Sequence, residues 1–166
     1  MRHIVLIIIM LLTPVISITE AAENSFLKAK APEFTLQDQY DRTVTLRGLE
    51  GRVVVLLASD KEGSAQNPAW QKAVLDRYKD NIVVLGIADL RSVPFFLKGK
   101  IKNDFKKQEG RIFLDWKGEV FTSYGLSEKV SNVILIDKQG YPRFMYAGAA
   151  TQEAIDRLLA VIDRLR

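Results

Sequence analysis

Among the apolar runs of the chain, three have the length and composition of strands, at residues 53–58, 82–88 and 133–136. Runs of this length predict strands that are buried on both faces of a sheet. Shorter segments predict four further strands, at residues 31–36, 43–46, 111–114 and 141–146. The first two of these are separated by a turn at residues 38–42 and therefore predict a β-hairpin. Pro142 suits an edge position in the last strand.

Apolar residues at helical spacing follow the first two runs and recur at the end of the chain. The three stripes are Trp70, Val74 and Tyr78, then Leu97, Ile101 and Phe105, and finally Ile155, Leu158, Leu159, Ile162 and Leu165. Asn67 is the expected N-cap of the first helix, Pro94 begins the second, and Thr151 caps the third. Glu153 and Arg157 are expected to pair on the outer face of the third helix. This order predicts an α/β fold with a central mixed β-sheet, helices on both faces and an N-terminal β-hairpin.

The first 21 residues have the pattern of a secretory signal peptide. A short basic start, Met1-Arg2-His3, leads into an apolar run at residues 4–18, and small residues precede an expected cleavage after Ala21. We therefore expect residues 22–166 to form one exported domain, in the periplasm or outside the cell, with no stable membrane span after cleavage. A retained N-terminal anchor is the alternative. Pro14 and a run shorter than the roughly 20 residues of a spanning helix disfavour it.

Composition removes most catalytic chemistries from the expected mature chain. The sequence contains no cysteine and one histidine, His3, which lies in the expected signal peptide. Cysteine nucleophiles, Ser-His-Asp triads, thiolate or imidazole zinc sites and lipid attachment to a cysteine are thereby excluded. We therefore expect no catalytic residue, no metal and no cofactor, and we expect stability to come from packing without disulfides.

Several segments carry a family resemblance. They are Ala31-Pro32-Glu33-Phe34-Thr35-Leu36-Gln37-Asp38, Gly51-Arg52-Val53-Val54-Val55-Leu56, Leu114-Asp115-Trp116-Lys117-Gly118-Glu119-Val120, and Val133-Ile134-Leu135-Ile136-Asp137-Lys138-Gln139-Gly140. In this order they resemble the redoxin branch of thioredoxin-like proteins, which includes the thiol-specific antioxidant and thiol-disulfide exchange families. Together with Ser64-Ala65 and the ending Gly148-Ala149-Ala150-Thr151-Gln152-Glu153, they are most similar to the YtfJ family of small exported proteins. The resemblance implies a thioredoxin-like fold.

The chain departs from this family at the positions that carry its chemistry. Redox members place a cysteine after the first core strand, at the N-terminus of the following helix, where backbone N–H groups stabilise a thiolate. The corresponding stretch here contains Glu62, Gly63, Ser64 and Ala65. Family members also place a proline or an arginine ahead of the later core strand, where this chain has Ser131 and Asn132. We therefore expect no cysteine-based oxidoreductase chemistry in the chain itself, and we interpret residues 62–65 as a vestigial active-site position.

Two other activities remain open. Asp60 and Glu62 are two carboxylates beside a helix start, and with further oxygen ligands they would suit a metal-dependent enzyme. Ser64 has no histidine to activate it, so we expect a structural serine. A family-level thiol or peroxide oxidoreductase role is a further alternative, either inherited or supplied by a partner that bears the cysteine.

Basic residues are concentrated in one part of the chain. Residues 91–117 contain eight basic and three acidic residues. The members that we expect to face an anionic partner are Lys98, Lys100, Lys102, Lys106, Lys107 and Arg111. The expected partner is an envelope protein or an anionic surface, and nucleic acid is not expected, because no aromatic-basic motif that reads bases accompanies the charge. The leading hypothesis is a non-catalytic binding or accessory module.

Overall fold

Seven strands form one mixed sheet in the computed structural model, which describes residues 27–108 and 110–166. The strands are β1 (Thr35–Asp38), β2 (Thr43–Thr45), β3 (Val54–Ser59), β4 (Val83–Asp89), β5 (Ile112–Asp115), β6 (Asn132–Ile136) and β7 (Pro142–Ala147). Their order across the sheet is β2-β1-β5-β4-β3-β6-β7. The three central strands β3, β4 and β5 run parallel, whereas the other pairings are antiparallel. The predicted mixed sheet and N-terminal hairpin are confirmed.

Four helices connect or follow these strands within the described residues: α1 (Asn67–Tyr78), α2 (Lys98–Phe105), α3 (Glu119–Ser123) and α4 (Gln152–Leu165). Short 3-10 turns at Gly63–Gln66 and Phe95–Leu97 precede α1 and α2. Thr151 caps α4 as predicted, because its side chain accepts a hydrogen bond from the N–H of Ala154. None of the helices in these residues has both the length and the apolar character that crossing a bilayer requires.

The core lies on both faces of the sheet because β3 is buried along its whole length. On one face, Val55 and Leu57 pack with Trp70 of α1 and Leu158 of α4. On the other face, the neighbouring β3 residues pack with α3 and the entry hairpin, and the aromatic side chains there are Phe34, Phe113, Phe121 and Tyr124. The predicted stripe Trp70, Val74 and Tyr78 is buried, and the indole N–H of Trp70 donates to the carbonyl oxygen of Gly148 at 3.0 Å.

Four local predictions were wrong. Asn67 is the first residue of α1 rather than its N-cap, because its side-chain amide bonds to Ser59 and Ser131 instead of to the helix. Pro94 does not begin α2, because the 3-10 turn Phe95–Leu97 intervenes and the helix begins at Lys98; Leu97 is 36% exposed, and α2 contributes no fully buried residue, since this short segment contains more lysines than apolar side chains. Arg157 stacks on the ring of Phe144 at 5.9 Å, and no ion pair joins it to Glu153. The predicted signal peptide, residues 1–21, lies outside the described residues.

Candidate functional site

The loops that follow β3, β4 and β5 and the loop that precedes β6 meet at one end of the sheet. Parallel strands bring their carboxyl ends to the same edge, where open α/β sheets place their ligands. We call this region, residues 59–67, 89–100, 115–118 and 127–132, the carboxyl edge. It contains every position at which the family resemblance expects chemistry.

Gly63 lies at the centre of the carboxyl edge, against the backbone of the loop that precedes β6. A Cβ atom at this glycine would lie 2.2 Å from the carbonyl oxygen and 2.4 Å from the carbonyl carbon of Val130. Carbon atoms do not approach backbone atoms so closely, so no side chain fits at position 63 unless residues 127–131 move. Within the vestigial position, residue 63 is thus closed to a side chain.

The neighbouring residues of the vestigial position are exposed and have no catalytic geometry. The hydroxyl of Ser64 donates to the carbonyl oxygen of Lys61 at 2.8 Å, a local turn interaction. Glu62 and Ala65 are exposed, and the carboxylate of Glu62 lies 3.8 Å from the ammonium of Lys129. The expectation of a structural serine agrees with this arrangement.

Side chains rather than a proline shape the loop at residues 127–131. The buried amide of Asn132 accepts from the N–H of Ser127 at 2.9 Å and donates to the carbonyl oxygens of Ser127 and Ala58 at 2.8 and 3.1 Å. Lys129 has a left-handed backbone conformation, with φ at 64°. Its N–H donates to a carboxylate oxygen of Asp60 at 2.7 Å, which helps to hold this conformation.

A second set of hydrogen bonds joins this loop to the start of α1. The N–H of Ser131 donates to the side-chain oxygen of Gln66 at 3.1 Å, and the hydroxyl of Ser131 donates to the side-chain oxygen of Asn67 at 2.6 Å. The amide nitrogen of Asn67 in turn donates to the hydroxyl of Ser59 at 2.8 Å. The structure therefore brings the predicted positions 62–65 and 131–132 together, but it bridges them with a polar network.

The carboxylates of the carboxyl edge bind backbone N–H groups. Asp60 accepts from Gly63 at 2.8 Å through its other oxygen, and Asp115 accepts from Glu119 and Val120 at 3.0 and 2.9 Å. No three acidic, histidine or cysteine side chains within residues 27–108 and 110–166 are placed to hold a metal ion. The structure therefore does not assemble Asp60 and Glu62 into the cation site of the metal-enzyme alternative.

Asp89 lies at the end of β4 and is buried. Burial raises the pKa of Asp89, and the nearby charges of Asp115 and Asp60 add to the increase. The N–H and the guanidinium of Arg91 oppose it, at 3.1 and 3.0 Å from the Asp89 oxygens. Arg91 also pairs with Glu128 at 2.7 Å and thus ties the loop after β4 to the loop before β6.

The predicted basic patch is divided along α2 and partly neutralised. Three of its members pair with acids: Lys102 with Asp41, Lys107 with Asp104, and Arg111 with Asp38. Burial would raise the pKa of Asp38, but the backbone N–H groups of Arg42 and Tyr40 and the guanidinium of Arg111 outweigh it, so the pKa lies below its ordinary value. Lys98, at the carboxyl edge, lies 5.2 Å from the centre of the Trp116 ring. Lys100 and Lys106 form no ion pair within the described residues.

One feature of the carboxyl edge was not predicted. Phe95 and Phe96 are 83% and 72% exposed, the highest values among the large apolar side chains of the described residues. Their rings meet edge to face, with centroids 6.2 Å apart. They lie directly after Pro94 and outside the helical stripe that begins at Leu97, and this position was the only sequence signal of their exposure.

Comparison with known proteins places the chain in a family. Residues 27–145 match the AhpC/TSA family. The chain belongs to this family. A search of curated proteins found no match.

Solved structures of similar fold confirm the thioredoxin-like architecture. The exposed lipoprotein thioredoxin Etrx1 of Streptococcus pneumoniae is 21% identical with a TM-score of 0.62, over 80% of this chain and 99% of that one. A DsbF homologue of Corynebacterium diphtheriae is 21% identical with a TM-score of 0.61, over 82% and 87% of the two chains. StoA of Bacillus subtilis is 15% identical with a TM-score of 0.59, over 80% and 97%. At these identities the likeness establishes the fold alone.

As a member of the AhpC/TSA family, the chain combines a complete scaffold with a cysteine-free sequence. The family fold places a helix N-terminus beside the loop before β6, and this chain retains both elements. Position 63 is closed by Val130, and the two elements are joined by hydrogen bonds through Asp60, Gln66 and Asn67. Fold membership therefore does not supply the thiol chemistry.

Proposed function

We propose that this protein is an exported, non-catalytic thioredoxin-like module that binds a partner through its carboxyl edge. The observation that carries the proposal is the closure of position 63 against Val130 in a chain without cysteine. Export is supported by the signal-peptide pattern of residues 1–21. We also propose that the chain is related to the YtfJ family and that its partner is an envelope protein or an anionic surface.

The structure of the carboxyl edge supports binding over catalysis for a physical reason. Catalytic groups must reach the substrate with unused hydrogen-bonding capacity. The side chains of Ser59, Asp60, Ser64, Gln66 and Asn67 are instead hydrogen-bonded within the fold. The exposed part of this edge includes Ser64, Ala65, the Phe95–Leu97 turn and the start of α2, with exposed charged residues such as Glu62 and Lys129 beside them. A rigid surface with exposed apolar groups is typical of an interaction site.

The absence of cysteine permits a position-specific test. Ser64→Cys places a single thiol on the carboxyl edge, and Ala160→Cys places one on the exposed face of α4 as a matched control. Each variant is labelled with a photoreactive maleimide and irradiated with envelope material of the source organism. We expect a defined crosslinked partner from position 64 and not from position 160. Purified partner must then bind the unlabelled wild type saturably in native mass spectrometry.

Two results would contradict the proposal. The first is equal crosslinking from both positions, which would indicate non-specific contact. The second is turnover: purified wild type that accelerates disulfide reduction or peroxide consumption would be an enzyme. The same assay with an added cysteine-bearing oxidoreductase tests the alternative of redox activity supplied by a partner, for which only the mixture would be faster than its components.

A further inference from the structure

Two phenylalanine rings project from the carboxyl edge into solvent. Phe95 and Phe96 are 83% and 72% exposed, and Leu97 beside them is 36% exposed. Single exposed apolar side chains are ordinary, but three consecutive ones form a patch of the kind that marks an interaction site. The two rings contact each other at an interplanar angle of 88° and so present two edges rather than one flat surface.

Backbone hydrogen bonds after β4 hold the turn that carries the two rings. The N–H of Val93 donates to the carbonyl oxygen of Leu90, and the N–H of Leu97 donates to that of Pro94, each at 3.0 Å. The second bond closes the 3-10 turn Phe95–Leu97, from which α2 continues at Lys98. The exposure is thus a property of the folded turn.

Positive charge surrounds this turn. Residues 90–103 contain four basic residues, and an acid flanks this stretch on each side, at Asp89 and Asp104. Arg91 pairs with Asp89 and Glu128, and Lys102 pairs with Asp41, but Lys98 and Lys100 form no ion pair within the described residues. The Lys98 ammonium rests over Trp116, a half-buried ring of the kind found at membrane interfaces.

We propose that the Phe95–Leu97 turn inserts into the interface of an anionic lipid bilayer, with Lys98 and Lys100 contacting the headgroups. Lysine stems can follow the apolar surface while their ammonium groups stay in the headgroup layer. Exposed aromatic side chains beside lysines are the composition of segments that lie in a membrane interface. A bilayer adapts to two rings at right angles, whereas a protein partner would need two matched slots. The inference rests on the proposed function, since it names an anionic bilayer as the partner of the carboxyl edge.

Vesicle binding tests this inference with three double variants. The protein, with its processed N-terminus established by intact mass, is sedimented with vesicles of phosphatidylglycerol and phosphatidylcholine in equal amounts, and with phosphatidylcholine alone. We expect preference for the anionic vesicles. F95S/F96S should weaken binding at least about tenfold. K98Q/K100Q should weaken it roughly five- to thirtyfold. K106Q/K107Q, which removes the same charge at the far end of α2, should change it less than about threefold.

The remaining outcomes overturn the proposal. Absence of binding to anionic vesicles does so, and so does binding that F95S/F96S leaves unchanged or that K106Q/K107Q weakens equally. Phenylalanine-dependent binding of polyglutamate in place of vesicles would assign the turn to an acidic protein. Concentration-dependent dimerisation abolished by F95S/F96S, without vesicle binding, would assign it to a second copy of this chain. A vesicle result of either sign leaves the crosslinking result from position 64 intact, so the two proposals fail separately.

Discussion

Replacement of Gly63 by alanine tests directly whether position 63 has room for a side chain. The new methyl group would overlap three backbone atoms of Val130, at 2.2, 2.4 and 2.8 Å. These atoms belong to the main chain and cannot rotate away as the end of a side chain would. Relief therefore requires a backbone shift of about 1 Å or more in residues 127–131, which Asn132 and Asp60 hold by hydrogen bonds.

The expected cost follows from these contacts. Overpacking of an ordered region costs about 1–3 kcal/mol, and each weakened hydrogen bond of the loop adds about 1 kcal/mol. We therefore expect Gly63→Ala to lower the free energy of unfolding by about 2–4 kcal/mol. With an m-value of roughly 2 kcal/mol per molar urea, the midpoint of urea unfolding should fall by roughly 1–2 M. The measurement is equilibrium unfolding followed by tryptophan fluorescence.

Gly99 is the matched control because a Cβ atom there has no neighbour within 4 Å and the residue lies inside α2. Gly99→Ala should leave stability unchanged or raise it by about 0.5–1 kcal/mol, since alanine is the better helix former. If Gly63→Ala unfolds at the same urea concentration as the wild type, with an unchanged m-value, the loop yields freely and the argument for closure is wrong.

Three further predictions concern buried polar groups. The pKa of Asp38 lies below its ordinary value, so its contribution to stability is present above pH of about 4 and lost as the pH falls towards the folded-state pKa. Asp38→Asn should lower the free energy of unfolding by roughly 2 kcal/mol at neutral pH. It should also flatten the acid side of the plot of unfolding free energy against pH. Burial and the Asp163 carboxylate raise the pKa of Tyr78 to about 12, so its contribution is complete below pH of about 10 and lost towards pH 12. Absorbance at 295 nm should show a late step whose amplitude falls in Tyr78→Phe, with the step of Tyr124 remaining, because burial raises the pKa of that tyrosine as well. An unchanged amplitude in Tyr78→Phe would refute the assignment. Asn132→Ala should lower the free energy of unfolding, measured in urea, by about 2–4 kcal/mol, because it leaves backbone groups of the 127–131 loop without partners. A decrease of less than about 1 kcal/mol would show that the side chain does not hold the loop.

The sequence allowed the fold to be predicted because burial leaves a periodic signal. The uninterrupted apolar run in β3 predicts a strand covered on both faces, and the structure covers it with α1 and α4 on one face. The turn after β6 could also be predicted from the sequence, since Asp137 accepts hydrogen bonds from the N–H groups of Gln139 and Tyr141 within four residues. In such a turn, the residues whose interactions stabilise the structure are neighbours in the sequence.

The carboxyl edge could be predicted only in part, because its geometry depends on contacts distant in sequence. Gly63 and Val130 are far apart in the chain, and no local pattern indicates that their backbones touch. Asn67 has the sequence signature of a cap, but Ser59 and Ser131 offer it other partners. The exposure of Phe96 was not predicted, because helical spacing shows which residues recur on one face of a helix but not whether another element packs against them.

Asp60 gives the carboxyl edge its present electrostatic character. In a redox member of the fold, the N–H groups at the helix N-terminus stabilise a thiolate, an anion that forms and is consumed during turnover. Here the Asp60 carboxylate accepts the N–H of Gly63 at 2.8 Å and that of Lys129 at 2.7 Å, so a fixed anion satisfies the turn that leads into α1 and also binds the opposite loop. Backbone N–H groups that would lower the pKa of a cysteine in a redox member bind the Asp60 carboxylate here, and this carboxylate joins the two loops. The groups of this edge left for function are the exposed side chains around these hydrogen bonds.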